Sequence, residues 1–347
     1  MSQAHTNNQE LVCPLCHNRE YEVLFTTLDA DRLKSEPFEI VRCITCNLVT
    51  TRPFLDDETL SEWYSLKYHG WWQGKRRYAF SIITNLFQKN RSRWVKRYAS
   101  EGSRLIDIGY GDGTFINYMS NLGFETYGIE NPDFFPQTKV NAAAGDMAIE
   151  IGEARPEKKK LKADTITLWH VLEHVTDPLS TLQYACEILN PRGLLIISSP
   201  NFNSFQSALF RDKWFHLDTT RHRWHFSPST ITKLLEKGGF SIIHLSHFSL
   251  EYNPFGWFQS FLNLCHCSHN FAYNLFKRGE LPPYKRNFRR KLFDVFCTVL
   301  LSSVFIPASC VLSLLESFFH QGGTITIAAK KVKSPDPKNQ VFNNIIN

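Results

Sequence analysis

The stretch RLIDIGYGDGTFI, residues 104–116, constrains the fold of this chain more than any other part of its sequence. It begins as an apolar, strand-forming run and continues into three glycines, Gly109, Gly111 and Gly113, at alternate positions. Glycines placed directly after a strand in this way are typical of a tight turn with a ligand lying against the backbone. A glycine-rich turn that holds no ligand is the alternative.

The glycine spacing and the neighbouring acids distinguish two kinds of cofactor. A nicotinamide-dinucleotide site requires GxGxxG, whereas the spacing here is GxGxG. Asp107, two positions before the first glycine, would repel a pyrophosphate but suits the cationic amino-acid end of S-adenosylmethionine. Glu130, at the end of the next strand-like run, can accept hydrogen bonds from both ribose hydroxyls of either cofactor. The loop therefore favours S-adenosylmethionine, and a dehydrogenase is the weaker alternative.

Strand-like and helical patterns alternate from residue 104 onward. The predicted strands are RLIDIG, ETYGIE, MAIEIG, ADTITLWH, GLLIISSP, 240–247 and 322–330. Such alternation predicts a parallel sheet with helices on both faces. A further helix is predicted over residues 77–98, in an aromatic and basic region that precedes the first of these strands.

Five segments carry recognisable motifs, in the order DIGYGDG, GIE, LWHVLEHVTDP, GLLIISSPN and RHRWHFSPSTITKLLEKGGF. Together they resemble the class I S-adenosylmethionine-dependent methyltransferases, near the ubiquinone-biosynthesis O-methyltransferases. The resemblance covers roughly residues 100–247 and the last strand, and it implies a Rossmann-like, seven-stranded α/β sheet with helices on both faces. Tyr110 departs from the family, which usually has a small residue or cysteine there, and should crowd the loop without changing its backbone.

The resemblance also implies further cofactor contacts. Trp169, just past the fourth predicted strand, matches a position that packs against the cofactor. Glu153 is expected to meet the adenine amine. Asp146 fits that role less well, because it follows Glu130 too closely to leave room for a helix and a strand.

His170, Glu173 and His174 stand at positions i, i+3 and i+4. A helix beginning here would put all three side chains on one face, where they could hold a divalent cation. Some relatives in the ubiquinone pathway carry a metal at matching positions. The alternative is that Glu173 and His174 hydrogen-bond the loops that support the cofactor, since two histidines suit a softer metal than magnesium.

Three histidines follow the fifth predicted strand in the segment HLDTTRHRWHFS, namely His216, His222 and His225. Methyl transfer to a hydroxyl requires removal of a proton, and a histidine can act as the general base. Ligands of open α/β sheets lie at the carboxyl ends of the strands, so this segment should overhang the site. His222 matches the histidine of the family's H-x-x-x-F-S/T pattern and is the candidate base, with His225 second. Ordering of the loop is the alternative role.

Two CxxC pairs near the N-terminus, Cys13 with Cys16 and Cys43 with Cys46, predict a metal site. Four thiolates complete a tetrahedral zinc site and leave no position open for chemistry, so the zinc is expected to be structural. The pairs are 26 residues apart, and the alternating runs YEVLF and FEIVRC, the second of which ends at Cys43, predict short β-hairpins there. We expect this ribbon to present the aromatic residues 63–72 as part of a lid or substrate wall.

Residues 295–315 carry no charge over 21 positions, which is long enough for a membrane span. A full crossing is not expected, because the family fold pairs the strands on either side of it in one sheet. Pro307 should break the segment into two arms of an interfacial hairpin. Seven cations suited to anionic headgroups precede it: Lys277, Arg278, Lys285, Arg286, Arg289, Arg290 and Lys291. A buried dimer interface or additional core is the alternative.

The expected domain organisation has a zinc ribbon at 11–52, a helical and aromatic linker and lid at 53–100, and a methyltransferase domain at 101–333. Residues 250–320 form an insertion in that domain that carries the apolar hairpin, and 334–347 form a disordered tail. The expected activity is transfer of a methyl group to a hydroxyl of a lipid-linked or membrane-near small molecule, either a quinone precursor or a glycan intermediate. A scaffold protein that has lost catalysis is the alternative from another class.

Charge and the N-terminal sequence set the remaining expectations. A net charge of +6 on 347 residues is too mild to indicate a nucleic-acid partner. The polar N-terminus MSQAHTNNQE lacks an apolar signal core. We therefore expect a cytoplasmic protein, peripheral on the inner face of the membrane, with its oligomeric state left open.

Overall fold

The structure is a computed structural model, and it describes residues 11–28, 37–54, 77–130, 148–150, 162–265, 267–275 and 288–332. Side chains are not described for residues 77–82 and 148–150. Several sequence expectations lie outside the described residues, namely Glu153, the aromatic residues 63–72, the cations at 277–286 and the tail 334–347.

A small antiparallel sheet contains the N-terminal strands. Its strands are β1 (Tyr21–Thr27), β2 (Phe38–Cys43), β3 (Val49–Arg52) and, from much later in the chain, β9 (Trp224–His225). β1 and β2 pair with Tyr21 opposite Cys43, which confirms the hairpin predicted between the two CxxC pairs. The pairing of β3 with β9 joins this small sheet to the rest of the protein.

The larger sheet has seven strands in the order β10-β11-β8-β7-β4-β5-β6. These strands are β4 (Arg104–Ile108), β5 (Glu125–Glu130), β6 (Ala148–Glu150), β7 (Ala163–Trp169), β8 (Leu189–Pro200), β10 (Phe240–Ser246) and β11 (Thr324–Lys331). The five strands β4 to β8 pair in parallel, and β11 pairs antiparallel with both β8 and β10, so β11 runs against the other six strands. The predicted Rossmann-like sheet is confirmed.

Eight α-helices occur in the described part of the chain: α1 (Arg77–Lys96), α2 (Thr114–Ser120), α3 (Pro178–Ile188), α4 (Phe205–Phe210), α5 (Pro228–Lys237), α6 (Asn253–Leu264), α7 (Phe271–Tyr273) and α8 (Phe288–Phe318). The helix predicted over 77–98 is α1. Asp177 caps α3 by accepting hydrogen bonds from two backbone amides, and Ser227 caps α5 in a capping box.

Helices cover both faces of the larger sheet because neighbouring side chains in a strand point to opposite sides. Leu105 of β4 packs with Met119 of α2 in one core cluster. Ile106, the next residue, packs in another cluster with Leu182 of α3 and Leu234 of α5. All five side chains are buried, so two layers of core flank the sheet and fix the carboxyl end of β4 between them.

The apolar segment forms one continuous helix, α8, so the expectation of two arms broken at Pro307 is wrong. Pro307 lies on the exposed side, and residues on both sides of it are held by the protein. Phe305 stacks on Phe261 of α6 with ring centroids 4.8 Å apart, and Ser309 is 1% exposed. Packing on both sides of the proline therefore keeps the two halves in line, and the missing amide hydrogen bond does not end the helix.

The polarity of α8 is inverted relative to an ordinary surface helix. Its buried residues are polar: Asp294, Thr298, Ser309, Ser313 and Glu316. From residue 292 onward its large exposed residues are apolar, as is Phe288 at its start: Phe288, Leu292, Phe293, Phe296, Val299, Leu300, Val304, Ile306, Val311, Leu314, Leu315 and Phe318. Mean hydropathy reaches 2.2, and by length and composition alone the helix could cross a membrane. The apolar side of α8 faces away from the protein.

Both ends of α8 are tied to the domain by buried carboxyl groups. Asp294 accepts a hydrogen bond from the backbone amide of Ser268 at 2.9 Å. Glu316 accepts from Nε2 of Gln206 in α4 at 2.8 Å and from the backbone amide of Gly323 at 3.2 Å. Since these contacts lie at opposite ends, α8 lies along the surface of the domain over most of its length.

Candidate active site

The loop of residues 109–113, here called the cofactor loop, follows β4 at the carboxyl edge of the sheet. Gly109, Gly111 and Gly113 have φ angles of +75°, +58° and +73°, which glycine adopts without strain. A Cβ atom at Gly109 would lie 2.3 Å from the side chain of Val171, whereas one at Gly111 would meet no atom within 4 Å. Space for a ligand therefore opens at Gly111, and Gly109 is required by protein packing.

Tyr110 is accommodated by a second glycine, in the neighbouring strand. A Cβ atom on Gly128 of β5 would lie 2.3 Å from the Tyr110 ring. The ring therefore packs directly on the β5 backbone. This explains how the loop keeps its glycine conformations although its residue 110 is unusually large.

Asp107 is a buried acid at the end of β4, with 3% of its surface exposed. It accepts a hydrogen bond from Oγ1 of Thr167 at 2.6 Å. Burial raises its pKa to about 7, although the Thr167 hydroxyl and the charge of Arg91 both oppose that rise. A carboxyl group with this pKa gains from a cationic ligand that restores its charge.

Glu130 ends β5 beside the same loop. Its Oε2 accepts a hydrogen bond from the backbone amide of Gly111 at 2.9 Å. The carboxylate thus lies next to the open side of the loop, where the sequence placed the ribose of a cofactor.

Arg91 of α1 was missed by the sequence analysis. It donates a bidentate set of hydrogen bonds to Glu251 at 2.8–3.0 Å, and its guanidinium lies 5.3 Å from the centre of the Trp169 ring. The side chains of Arg91 and Glu251 are 16% and 21% exposed, so the pair is largely desolvated. Gln88, three positions earlier, is buried, so Arg91 lies beside the buried face of α1, but nothing in the sequence around it indicates its partner Glu251.

Trp169 lies at the end of β7, between Arg91 and the helix that follows the cofactor loop. Its ring packs edge-on against Phe115 of α2 at 5.6 Å. The indole Nε1 is buried and has no hydrogen-bond partner among the described residues. A buried donor of this kind is costly unless a ligand or water accepts from it.

Residues 170–174, here called the histidine turn, do not form the helix that was expected. His170 has φ +56°, and the following residues form turns, because the chain reverses direction at the edge of the sheet. Nδ1 of His170 nevertheless lies 3.2 Å from Oε1 of Glu173. Oε2 of Glu173 accepts from Ser199 Oγ at 3.1 Å, and burial raises the pKa of this carboxyl. The His170 ring also packs on Tyr252 at 3.8 Å.

The segment 216–225, here called the histidine loop, lies against the histidine turn. The His222 ring centre is 4.7 Å from that of His174. Potential ligand atoms of Glu173, His174 and His222 lie within 4.8 Å of one another, close enough to hold a cation. His222 therefore takes the place in this group that the sequence analysis gave to His170.

The three histidines of the loop are buried and neutral at physiological pH. Burial lowers the pKa of His216 and of His225 to about 3, and it lowers the pKa of His222 well below its usual value. Nδ1 of His222 lies 2.9 Å from the backbone carbonyl of His216. Nε2 of His225 lies 2.8 Å from the hydroxyl of Thr51 in β3. No pattern in the sequence indicates this last contact.

The four cysteines converge as predicted. Their sulfur atoms all lie within 4.8 Å of one another, with Cys13 3.5 Å from Cys46 and Cys16 3.4 Å from Cys43. Each pair sits in a tight turn, closed by a backbone hydrogen bond from residue 17 to Cys13 and from residue 47 to Cys43. Four converging thiols with three of them buried fit a structural zinc ion.

Comparisons with known proteins agree with this geometry. The sequence model of the methyltransferase domain family matches residues 72–245, half of the chain. Ubiquinone biosynthesis O-methyltransferases match as relatives. The one from Cereibacter sphaeroides strain KD131 is 32% identical over 167 residues, 45% of this chain and 67% of that protein. The one from Ruegeria pomeroyi is 30% identical over 169 residues, 45% and 66% of the two chains.

Solved structures give more distant matches. A methyltransferase from Archaeoglobus fulgidus has a TM-score of 0.42 and 18% identity, covering 71% of this chain and 94% of that one. A phosphoethanolamine N-methyltransferase from Haemonchus contortus, in complex with S-adenosyl-L-methionine, has a TM-score of 0.43 and 14% identity, covering 69% and 51%. The match over half of the chain, on a sheet with this cofactor loop, shows that the protein belongs to the methyltransferase domain family as an S-adenosylmethionine-dependent methyltransferase.

Proposed function

We propose that the protein transfers a methyl group to a hydroxyl of a lipid-linked or membrane-near small molecule, a quinone precursor or a glycan intermediate. The observation that carries the proposal is the position of His222. A neutral imidazole lies beside the turn that packs on the cofactor loop through Val171. The match to ubiquinone biosynthesis O-methyltransferases supports a hydroxyl acceptor.

The cofactor supplies an electrophilic methyl group on its sulfonium. In this proposal Asp107 holds the ammonium of the cofactor, and Glu130 holds the ribose hydroxyls. Gly111 leaves the space between them, and Trp169 packs against the cofactor with its indole N–H available as a donor. Arg91 adds a buried positive charge near Asp107, suited to the cofactor's carboxylate.

His222 is the proposed general base. A backbone carbonyl can only accept a hydrogen bond, so Nδ1 of His222 must carry the proton that is donated to His216. Nε2 then keeps its lone pair and can take the proton of an acceptor hydroxyl as the methyl group is attacked. The lowered pKa keeps this nitrogen unprotonated at neutral pH.

Affinity for S-adenosylmethionine should depend on the charge of Asp107. The ionised carboxylate binds the ammonium, and its pKa in the free protein is about 7. Affinity should therefore fall as the pH drops below 7, by up to about tenfold per unit. Asp107→Asn should weaken binding about 10- to 100-fold and remove the pH dependence. Calorimetric titrations between about pH 5.5 and 8.5 measure both effects.

Asp112→Asn is the matched control, because Asp112 is an exposed acid of the same loop that accepts only from the Thr114 amide among the described residues. It should leave both the affinity and its pH profile unchanged. An Asp107→Asn protein that binds as tightly as wild type would remove Asp107 from the cofactor site.

The chemistry of methylation is tested with S-adenosylmethionine carrying a deuterated methyl group and membrane extracts as acceptor source. Mass spectrometry should find the label as a methyl ether in the lipid-soluble fraction. His222→Asn retains a donor near the Nδ1 position but has no base, so it should lower the rate about 10²- to 10⁴-fold with unchanged cofactor affinity. The exposed His320, changed to Asn, is the control.

Each contrary outcome of this experiment corrects a different part of the proposal. Label on nitrogen or carbon would contradict the hydroxyl acceptor. Label confined to water-soluble products would contradict the lipid-linked one. No label with any extract would favour a scaffold that has lost catalysis. Full activity of His222→Asn would show that His222 is not the general base.

The inverted polarity of α8 supports the membrane part of the proposal. Its apolar residues are exposed over the length of the helix, and Arg289, Arg290 and Lys291 lie at its N-terminal end. Burial of apolar surface contributes about 25 cal/mol per Å², and each cation near an anionic surface about 1 kcal/mol. Because α8 is tied to the domain at both ends, we propose that it lies in the plane of the membrane surface, on its cytoplasmic side.

Vesicle binding tests this arrangement. Wild-type protein should sediment with vesicles of phosphatidylethanolamine and phosphatidylglycerol, and high salt should weaken binding without abolishing it. Val304 and Leu314 are 61% and 62% exposed. The double change Val304→Ser and Leu314→Gln should lower vesicle affinity about 10- to 100-fold, since each side chain contributes about 1 kcal/mol or more.

The matched control is Val23→Ser with Leu28→Gln, one valine and one leucine of the small sheet region that are 51% and 70% exposed. It should bind vesicles like wild type. An equal loss of vesicle affinity in both double variants would show nonspecific hydrophobic binding. Wild-type protein that does not bind vesicles would favour a dimer contact on α8.

A further inference from the structure

The N-terminal zinc ribbon and the histidine loop share one small sheet. We propose that Thr51 is a positioning residue for the active site: through it, metal binding by the four cysteines fixes the tautomer of His225 and the place of His222. The consequence for catalysis rests on the proposed role of His222, but the coupling itself does not. The zinc ribbon would thus help to position active-site residues, in addition to the expected role of presenting the aromatic residues 63–72.

The contacts between β3 and the histidine loop, here called the seam, are dense and buried. β3 pairs with β9, with Val49 opposite His225 and Thr50 opposite Trp224. The amide of Thr51 donates to the carbonyl of Arg223 at 3.2 Å, and the Thr50 hydroxyl donates to the same carbonyl at 2.7 Å. Buried hydrogen bonds of this kind are costly to lose, so the loop is held in one place as long as β3 is.

The hydroxyl of Thr51 has two partners and a single proton. It lies 2.9 Å from the backbone carbonyl of His222 and 2.8 Å from Nε2 of His225. The carbonyl can only accept, so the hydroxyl proton goes to His222. Nε2 of His225 must then carry a proton and donate it to the Thr51 oxygen. Thr51 therefore selects the Nε2–H tautomer of His225 and anchors the backbone of His222 at once.

His222 and His225 of the histidine loop are thereby held in opposite tautomers. His222 carries its proton on Nδ1, because that atom faces the carbonyl of His216. His225 carries its proton on Nε2 because of Thr51. In each ring the hydrogen bond at one nitrogen decides which nitrogen carries the proton, so the two opposite tautomers follow from the contacts with His216 and Thr51.

The metal site connects directly to Thr51. Cys46 ends the second cysteine turn only five residues before Thr51, and the amide of Cys43 donates to the carbonyl of Leu48 at 2.9 Å between them. Leu48 packs in the same core cluster as Trp224 of β9. Loss of the metal would free this turn and, with it, the start of β3.

The proposed cofactor contacts lie elsewhere. Asp107, Glu130 and Trp169 belong to strands of the larger sheet, whereas Thr51 belongs to β3 of the small sheet. Disturbing Thr51 should therefore change the histidines while leaving affinity for S-adenosylmethionine within about twofold of wild type. This separation distinguishes a positioning role from general destabilisation.

The test is proton-detected nitrogen-15 NMR of full-length protein labelled at histidine, in which the two tautomers give different ring-nitrogen shifts. Wild-type, zinc-loaded protein should show His222 as Nδ1–H and His225 as Nε2–H. Thr51→Val should lose the fixed His225 signature, and Thr51→Ser should restore it. Thr50→Val, a buried change at the adjacent position whose hydroxyl donates to the carbonyl of Arg223, is the control and should retain it.

Removal of the metal provides a second test that uses only the wild-type protein. Chelation that strips zinc, verified by elemental analysis, should collapse the same two signatures, and added zinc should restore them. Cofactor affinity, measured by calorimetry, should stay unchanged throughout.

Three results would overturn the proposal: His225 as Nδ1–H in the wild type, unchanged histidine signals after zinc loss, or equal effects of Thr50→Val and Thr51→Val. None of these measurements uses a methyl acceptor. Failure of the proposed activity would therefore look different, as absent methyl transfer with the two tautomers intact.

Discussion

The close packing of Val171 on Gly109 underlies the whole site. A Cβ atom on Gly109 would lie 2.3 Å from Val171, so only a glycine lets the histidine turn press against the cofactor loop. This contact joins the ends of β4 and β7, two neighbouring parallel strands, and brings Asp107 and the turn to one edge of the sheet. Open α/β sheets bind ligands at this edge, and here the packing of Val171 on Gly109 brings the two loops of that edge together.

Two peripheral elements are attached to that edge by buried polar contacts. The small sheet reaches it through β3 and β9, where Thr51 meets the histidine loop. The segment that leads into α6 reaches it through Glu251 and Tyr252, which bind Arg91, and Tyr252 packs on His170. Both attachments lie against the histidine loop or the histidine turn, which in the proposed function form the acceptor side of the site. They give physical reasons for a methyltransferase of this kind to carry a metal site and an apolar helix.

Local patterns predicted most of the fold, and contacts between distant residues were the part they missed. The strands, the helix α1 and the cysteine site followed from alternation and spacing, which depend on near neighbours. The left-handed His170 could not be read from sequence, because any L-residue other than glycine disfavours that conformation. The continuity of α8 through Pro307 depends on tertiary packing. The pair Arg91–Glu251 joins residues 160 positions apart, which no periodicity encodes.

The central claim is that the cofactor loop and the histidine loop form one active site. A crystal structure of the zinc-loaded protein with S-adenosylhomocysteine tests it most directly. We expect the amine of the ligand at Asp107, its ribose at Glu130, and its sulfur on the side that faces Nε2 of His222. A ligand bound with its sulfur turned away from the histidine loop, or His222 turned out of the site, would contradict the account.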